Sequence, residues 1–530
     1  MADAVVIGAG QNGLVAANVL ADAGWDVLVL EEQDAPGGAV KSGELTGQPG
    51  FVHDLFSAFY PLTVVSPAMR AMRLEEHGLV WRRSPLAFAH PAIDGTCPYV
   101  SLDLEETVER LNHYENGDGE AWRRLYGIWE RVGDPIMEAG FGAPFPPLRG
   151  AAKMAWALNR DTVRFLRMIT LSVRRFGEEW FVSEQARRMI TGNALHADLT
   201  PETAVSAGFG WMLSVLGQHV GFPTPEGGAG QIIAALLKRL DARGGVVRCG
   251  QRVEAVIVRG GRAVGVRTAD GTEIDAPRAV IADVVAPKLF LDLVGEEHLP
   301  NRTVADLRRF EYDASTFKVD WALDGPIPWA APDARRSGVI HTGEDMDHFT
   351  VHASELARKL MPSHPLMVVG QYAPVDSTRA PEGCDVAWAY THHPRTPKGD
   401  AGGQDITGRF DERETELFAR RLEDEIEARA PGFRDLIRAR HVFTPHDLER
   451  ANSNLVNGAI NGGTAQAHQQ LVFRPTSGVG RPETPIRNLY LGSSSAHPGG
   501  AVHGACGANA ARAALRWRGL LPGVSTLPPR

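Results

Sequence analysis

The chain has 530 residues, 43% hydrophobic and 22% charged, a length beyond what one hydrophobic core usually supports, so two domains are expected. A net charge of −9 with no run of Lys or Arg excludes a nucleic-acid tail. Cys97, Cys249, Cys384 and Cys506 lack CxxC spacing, which excludes a disulfide scaffold and a zinc site and fits a reducing, cytoplasmic setting.

The apolar run Ala4–Ile7 follows no basic region and leads into glycines, so a strand is expected there rather than a signal peptide. Residues 4–31 read as one strand–turn–helix–strand unit. Its turn, Gly8-Ala9-Gly10-Gln11-Asn12-Gly13, is a GxGxxG. Gly8 allows the tight turn, Gly10 lets the backbone approach a diphosphate, and Gly13 lets the helix pack closely on the strand. Residues 14–21 continue as a helix that Gly24 ends, and Val27–Leu30 is a second buried strand closing at Glu31. The helix N-terminus offers amide groups to phosphates, and Glu31 stands where a carboxylate accepts from a ribose hydroxyl. Pro36-Gly37-Gly38-Ala39 reads either as an ordinary surface turn or as a second backbone approach to the nucleotide. Flavoproteins need the second, which tilts the expected cofactor from NAD to FAD.

Over residues 153–176, Arg160, Arg164, Arg167, Arg174 and Arg175 interleave with Trp156, Phe165, Leu166, Met168 and Ile169. Such a stretch reads either as a solvated helix face or as a surface that lies on a membrane and admits a lipid-like substrate. The longest uncharged stretch, 203–222, carries Gly208, Gly210, Gly217 and Gly221 with Ser206, Gln218 and His219. It is too polar for a good membrane span and is expected to wall a cavity. Residues 225–230 open another helix, over 231–240. Strands follow at 246–249, 253–258, 263–268, 272–276 and Ala279–Ala282, joined in part by Gly260-Gly261 and Asp270-Gly271 turns. The last ends at Asp283, and ligands sit at strand ends in such sheets.

Near the C-terminus, residues 488–492 form a further strand that runs through Ser493-Ser494-Ser495-Ala496-His497-Pro498-Gly499-Gly500-Ala501-Val502-His503-Gly504 into a helix of very small residues, 505–511. Gly and Ala at such density make a poor helix by propensity. Two readings remain open: a large flat group packed against its first turn, or tight packing of helix on sheet.

Together, Gly8-Ala9-Gly10-Gln11-Asn12-Gly13-Leu14-Val15-Ala16-Ala17, Pro36-Gly37-Gly38, Gly227-Gly228 and His497-Pro498-Gly499-Gly500-Ala501-Val502 resemble the phytoene desaturase-related flavoproteins. Within them the chain resembles the branch called pyridine nucleotide-disulfide oxidoreductase domain-containing protein 2. The resemblance covers both ends and 225–325, including Phe317-Lys318-Val319-Asp320, and is weak over 71–200 and 330–450. It implies an α/β protein: a FAD/NAD(P)-binding Rossmann-like domain of the amine oxidase/phytoene desaturase type with an interleaved α+β substrate domain. The cofactor domain is expected from 1–70, 221–300 and 480–530, and the substrate domain, a sheet with helices on one side, from 71–220 and 301–479. Non-covalent FAD is implied, touched by Gly8, Gly10, Gly13, Glu31, Gly37, Gly38, Val253 and the Gly504 turn. Gln11, Asn12, Ala39, Ser494, Gly500 and Val502 complete the expected cofactor set. Phe51-Val52-His53-Asp54 and His503 depart from the family pattern.

The implied reaction is desaturation, dehydrogenation or isomerisation of an apolar, often isoprenoid, substrate by hydride transfer to flavin. Flavin carries the difficult chemistry, so no obligatory side-chain base or metal is required. His53, Asp54, His497 and His503 are the candidates to face the ring, though a His in a Gly-rich turn reads equally as a structural group. Cys506 reads as a small packing residue rather than a flavin tether. No second strand–GxGxxG–helix unit follows residue 40, so electrons are expected to leave to oxygen or a quinone rather than arrive from NAD(P)H. A flavin amine or amino-acid oxidase, with Trp321, Trp329, Trp388 and Tyr390 available for an aromatic cage, is a rival reading. A flavin-binding regulatory scaffold without turnover is another.

Overall fold

The strand Ala4–Ile7 has apolar side chains throughout because both of its faces are covered. Ala4 and Val6 join a core with the helices Gln11–Asp22, Gly230–Asp241 and Ala505–Arg516. Val5 and Ile7 point the other way, into a core with Val253, Val256, Ala263 and Val266 from an antiparallel three-stranded sheet. Each buried Val, Leu or Ile contributes roughly 1.5–3 kcal/mol relative to exposure. A computed structural model supplies these contacts and describes residues 2–142 and 147–516.

Five parallel strands form the sheet around Ala4–Ile7, in the order Leu489–Leu491, Ala279–Ala282, Ala4–Ile7, Val27–Leu30, Val246–Arg248. The sheet therefore gathers strands from both ends and the middle of the chain. The first helix begins at Gln11, three residues earlier than the sequence placed it, and the C-terminal helix lies against it. A Cβ on Gly507 would stand 1.8 Å from the Asn12 carbonyl oxygen, so only glycine permits that approach. The smallness of the C-terminal helix thus serves close packing, here on the first helix rather than on the sheet alone.

A second sheet of seven strands runs Ile437–Phe443, Ser315–Leu323, Asp385–His393, Val368–Gln371, Val339–His341, Leu86–Ala89, Tyr99–Ser101. All its pairings are antiparallel except Val339–His341 with Leu86–Ala89. One face packs on helices that include Asp118–Met137, Glu184–Ala194 and Ser206–Val220. The other packs on Glu412–Glu427, whose Phe418, Leu422 and Ile426 fall on one stripe at fourfold spacing. Helices therefore cover both faces, which corrects the expectation of helices on one side: the strands carry apolar residues on both faces, and both need burial.

Candidate active site

A cavity of about 320 Å³ opens at the ends of the parallel strands. Gly8, at φ +93°, makes the turn, and the N-cap Gly10 brings no side chain to the first helix, whose Gln11 and Asn12 line the cavity. Glu31 is fixed at the rim: its carboxylate accepts from the Ala9 amide at 2.7 Å and the Gln33 amide at 3.0 Å. The second glycine loop is pressed onto the first. The Gly37 amide donates to the Ala9 carbonyl at 2.9 Å, and a Cβ on Gly38 would lie 3.0 Å from the Gly10 Cα. Val253 and Asp283 complete this end. Asp283 accepts from the Gly13 amide at 3.0 Å, and burial pushes its carboxyl up to about 7.

A second cavity, of about 370 Å³, shares Gln11, Ala39, Leu455, Ile460 and Ser494 with the first, so the two adjoin. Its wall is mainly apolar, with Phe59, Phe209, Met212, Leu213, Phe222 and Val339 prominent. The helix Ser206–Val220 supplies part of it, as its uncharged sequence led one to expect. Its glycines are spacers: Gly210 sits against the Ile190 carbonyl and Gly217 against the Phe88 ring. Lys318 and Arg474 are the charged residues of the wall; among the described residues no carboxylate lines it.

Residues 6–73 match the family profile described as NAD(P)-binding Rossmann-like domain, and 97–285 match that of flavin containing amine oxidoreductase. Pyridine nucleotide-disulfide oxidoreductase domain-containing protein 2 of Rattus norvegicus is 29% identical over 97% of this chain and 93% of its own length. A component of the limonene dehydrogenase of Castellaniella defragrans is 26% identical over 98% and 95%, and phytoene desaturase of Fusarium fujikuroi 24% over 94% and 86%. The chain is an FAD-dependent oxidoreductase similar to the phytoene desaturases. Among solved structures, an oxidoreductase from Methanosarcina mazei superposes with a TM-score of 0.61 at 16% identity, covering 97% of this chain and 99% of that one. Putrescine oxidase bound to putrescine gives 0.60 at 16%, covering 97% and 98%, which places this oxidoreductase in the same fold.

The donor set fits FAD. The helix start at Gln11 and Asn12 would meet a diphosphate, Glu31 would meet ribose hydroxyls, and the buried Asn12 Oδ1, unpartnered among the described residues, would offer a further acceptor. Of the residues expected to touch the cofactor, Gly8, Gly10, Gln11, Asn12 and Glu31 line the first cavity. Gly38, Ala39, Val253 and Ser494 line it as well, while Gly500 and Val502 line the second. Gly13, Gly37 and Gly504 line neither and act by position. A Cβ on Gly13 would strike the Gly8 carbonyl, and the Gly504 amide donates at 2.8 Å to Gln11 Oε1, which orients a residue common to both cavities.

The four expected ring-facing residues line neither cavity. Asp54 is fully buried and consumed: Ser42, the Ala229 amide, Tyr372 and both terminal nitrogens of Arg379 donate to it. His53 pairs with Thr46 at 3.2 Å, and burial lowers it to about 3, which keeps it neutral. His503 is a helix cap; its Nδ1 accepts from the Ala505 amide and its Nε2 faces the carbonyls of Gly499 and Gly500. His497 is buried and lowered to about 4, beside Pro498, which does reach the second cavity. Cys506, raised to about 12 by burial, packs as a neutral thiol.

Other residues in the site carried no local signal. Lys318 donates to the Asp54 carbonyl and pairs with Asp320, both deep in the fold. Arg474, 1% exposed, spends its guanidinium on the carbonyls of Asn461, Thr464 and Ser494. Asn454 reaches from residue 454 to the Asp283 carbonyl and the Val285 amide, and lines the cofactor cavity. Of the four aromatics offered for a cage, Trp388 and Tyr390 line the second cavity, stacked with ring centroids 6.0 Å apart. Trp321 and Trp329 lie in the far core, bonded to Glu423 and Gln371.

Proposed function

We propose that this oxidoreductase dehydrogenates an apolar, isoprenoid-like molecule held in the second cavity and passes the electrons to oxygen or a quinone. One observation carries the reading: the space adjoining the cofactor cavity is walled mainly by hydrocarbon and ring surface, and among the described residues no carboxylate lines it. An amine is protonated near neutral pH and seeks a carboxylate; this wall offers none. The relatives named for limonene dehydrogenase and phytoene desaturase support the same choice.

FAD, when bound, supplies the two-electron acceptor. The chain's own residues orient and dry the substrate. Phe209, Met212, Leu213 and Phe222 exclude water from one side, and Trp388 and Tyr390 give a flat surface on another. Gln11, held by the Gly504 amide, stands at the junction of the two spaces. The helices Leu148–Leu158 and Thr162–Thr170 are the proposed route of entry, laid against a membrane that delivers such a substrate.

The test is anaerobic mixing of the FAD-loaded protein with a panel of terpenes and a panel of primary amines. Terpenes are expected to bleach the visible flavin band and amines to leave it unchanged. Bleaching by amines alone would reverse the assignment.

A further inference from the structure

The second cavity is mainly apolar, with polar groups at Thr316, Lys318, Asn461, Gln470 and Arg474 and at the residues it shares with the cofactor cavity. A further polar patch joins Asn193, His196 and Tyr390, of which the reading above uses only the Tyr390 ring. Asn193 ends the helix Glu184–Ala194, and His196 follows three residues later on the same face. Tyr390 comes from the strand Asp385–His393, with its hydroxyl 3.5 Å from His196 Nδ1.

Hydrogen-bond accounting fixes what this patch presents. His196 Nε2 lies 2.6 Å from His341 Nε2, so one ring must donate and the other accept. Burial lowers His196 to about 4 and His341 well below its ordinary value, so both rings are neutral and each carries a single N–H. His341 Nδ1 is buried without a partner among the described residues. If His196 donated, the His341 proton would sit on that Nδ1, an orphaned N–H in the interior, at a cost of about 1–3 kcal/mol. If His341 donates, only a bare lone pair is orphaned. His196 then carries its proton on Nδ1 and donates to the Tyr390 oxygen. The Tyr390 hydroxyl hydrogen is left to point elsewhere, and Tyr390 lines the cavity.

Asn193 supplies the complement. Its amide nitrogen donates to Ser214 Oγ at 2.9 Å and to the Met189 carbonyl, which sets its orientation, and its Oδ1 has no partner among the described residues. The side chain is 1% exposed and borders the same cavity. This patch thus holds one donor and one acceptor, both neutral. A hydrocarbon satisfies neither, a carbonyl only the donor, and a protonated amine only the acceptor. A hydroxyl satisfies both.

We propose that the second cavity recognises an alcohol: a hydroxyl on an apolar, prenyl-like body, accepting from Tyr390 and donating to Asn193. The hydroxyl is the recognised end of the molecule, and Tyr390 and Asn193 are specificity residues. His196 is a positioning residue that sets the direction of the Tyr390 hydrogen. This rests on the apolar-substrate reading and narrows it.

The test is equilibrium binding of farnesol and of farnesene, matched in carbon skeleton, to the FAD-loaded protein in one detergent, read by the change in the flavin spectrum and by calorimetry. The wild type is expected to prefer farnesol by about tenfold, the worth of a well-made buried hydrogen bond. Tyr390→Phe keeps the ring stack and removes the donor. It is expected to abolish the preference, with farnesol and farnesene then binding alike. His196→Phe, which leaves the hydroxyl but frees its direction, is expected to lose most of the preference. Equal binding of the two ligands by the wild type, or an undiminished preference in Tyr390→Phe, overturns the alcohol assignment and leaves the apolar-substrate reading standing. If neither ligand binds, both fall.

Discussion

Asp283 sets a carboxylate where the first helix would otherwise present its Gly13 amide to the cofactor cavity. Burial, and behind it the Glu31 charge, raises it from its ordinary 3.8 to about 7. A carboxyl whose pKa is raised by folding favours the folded state at low pH. That contribution is lost as pH climbs from about 4 through about 7, and the buried charge is a fixed burden above. Asp283→Asn keeps an acceptor for the Gly13 amide and removes the burden. The variant's melting temperature is expected to exceed that of the wild type by a few degrees at pH 8, with a smaller gain at pH 5. Scanning calorimetry at the two pH values checks this; an equal gain at both would contradict it. Residues of this kind divide by how local their signal is. That Gly8, Gly10, Glu31 and Gly38 gather at one cavity was legible because a short motif holds both the turn and the residues beside it. The pairing of His53, Asp54 and His503 was not legible, because a polar group in a turn looks the same whether it faces a ring or pairs structurally. What decides is Arg379, Tyr372 or the Ala505 amide, brought in by the fold.

At the scale of elements, the strand–turn–helix–strand unit and the meander over 253–275 were readable from apolar runs and glycine turns, since each closes on its neighbour in sequence. The C-terminal helix was readable as a helix but not in its partner, which lies almost five hundred residues away: Gly507 against Asn12. The basic stretch over 153–176 breaks into the helices Leu148–Leu158, Thr162–Thr170 and Val173–Trp180. It exposes Leu148, Trp156, Val163 and Leu166, with Trp156 87% accessible, while Phe165 and Met168 turn inward. Arg149, Lys153, Arg160 and Arg164 are exposed among them. A tryptophan so exposed beside cations fits insertion at an anionic lipid surface. Co-sedimentation with phosphatidylserine-containing vesicles at low salt is expected, reduced severalfold by Trp156→Ala combined with Arg160→Glu and Arg164→Glu. No sedimentation by the wild type at low salt would contradict a membrane contact. Among the described residues no helix is long and apolar enough to cross a membrane.

Taken whole, the molecule sets two sheets around two adjoining cavities. Five parallel strands present backbone amides and carboxylates at one end, and seven mostly antiparallel strands with helices on both faces supply a wall at the other. The first sheet was legible because its strands carry glycine motifs. The second was not, because the order Ile437–Phe443, Ser315–Leu323, Asp385–His393 depends on pairings across scores of residues that no short pattern encodes. Both cavities are lined by Gln11, Ala39 and Ser494 from the cofactor segments and by Leu455 and Ile460 from the segment expected in the substrate domain. The account depends on the first glycine loop seating FAD in the first of them. Absorbance of the purified protein, with flavin counted against polypeptide, tests this most directly. One FAD per chain is expected for the wild type. Gly10→Val, whose side chain would enter the 2.7 Å gap to the Asp283 carboxylate, is expected to yield folded but colourless protein. A colourless wild type that takes up no added FAD, or a Gly10→Val variant as fully flavinylated as the parent, would contradict it.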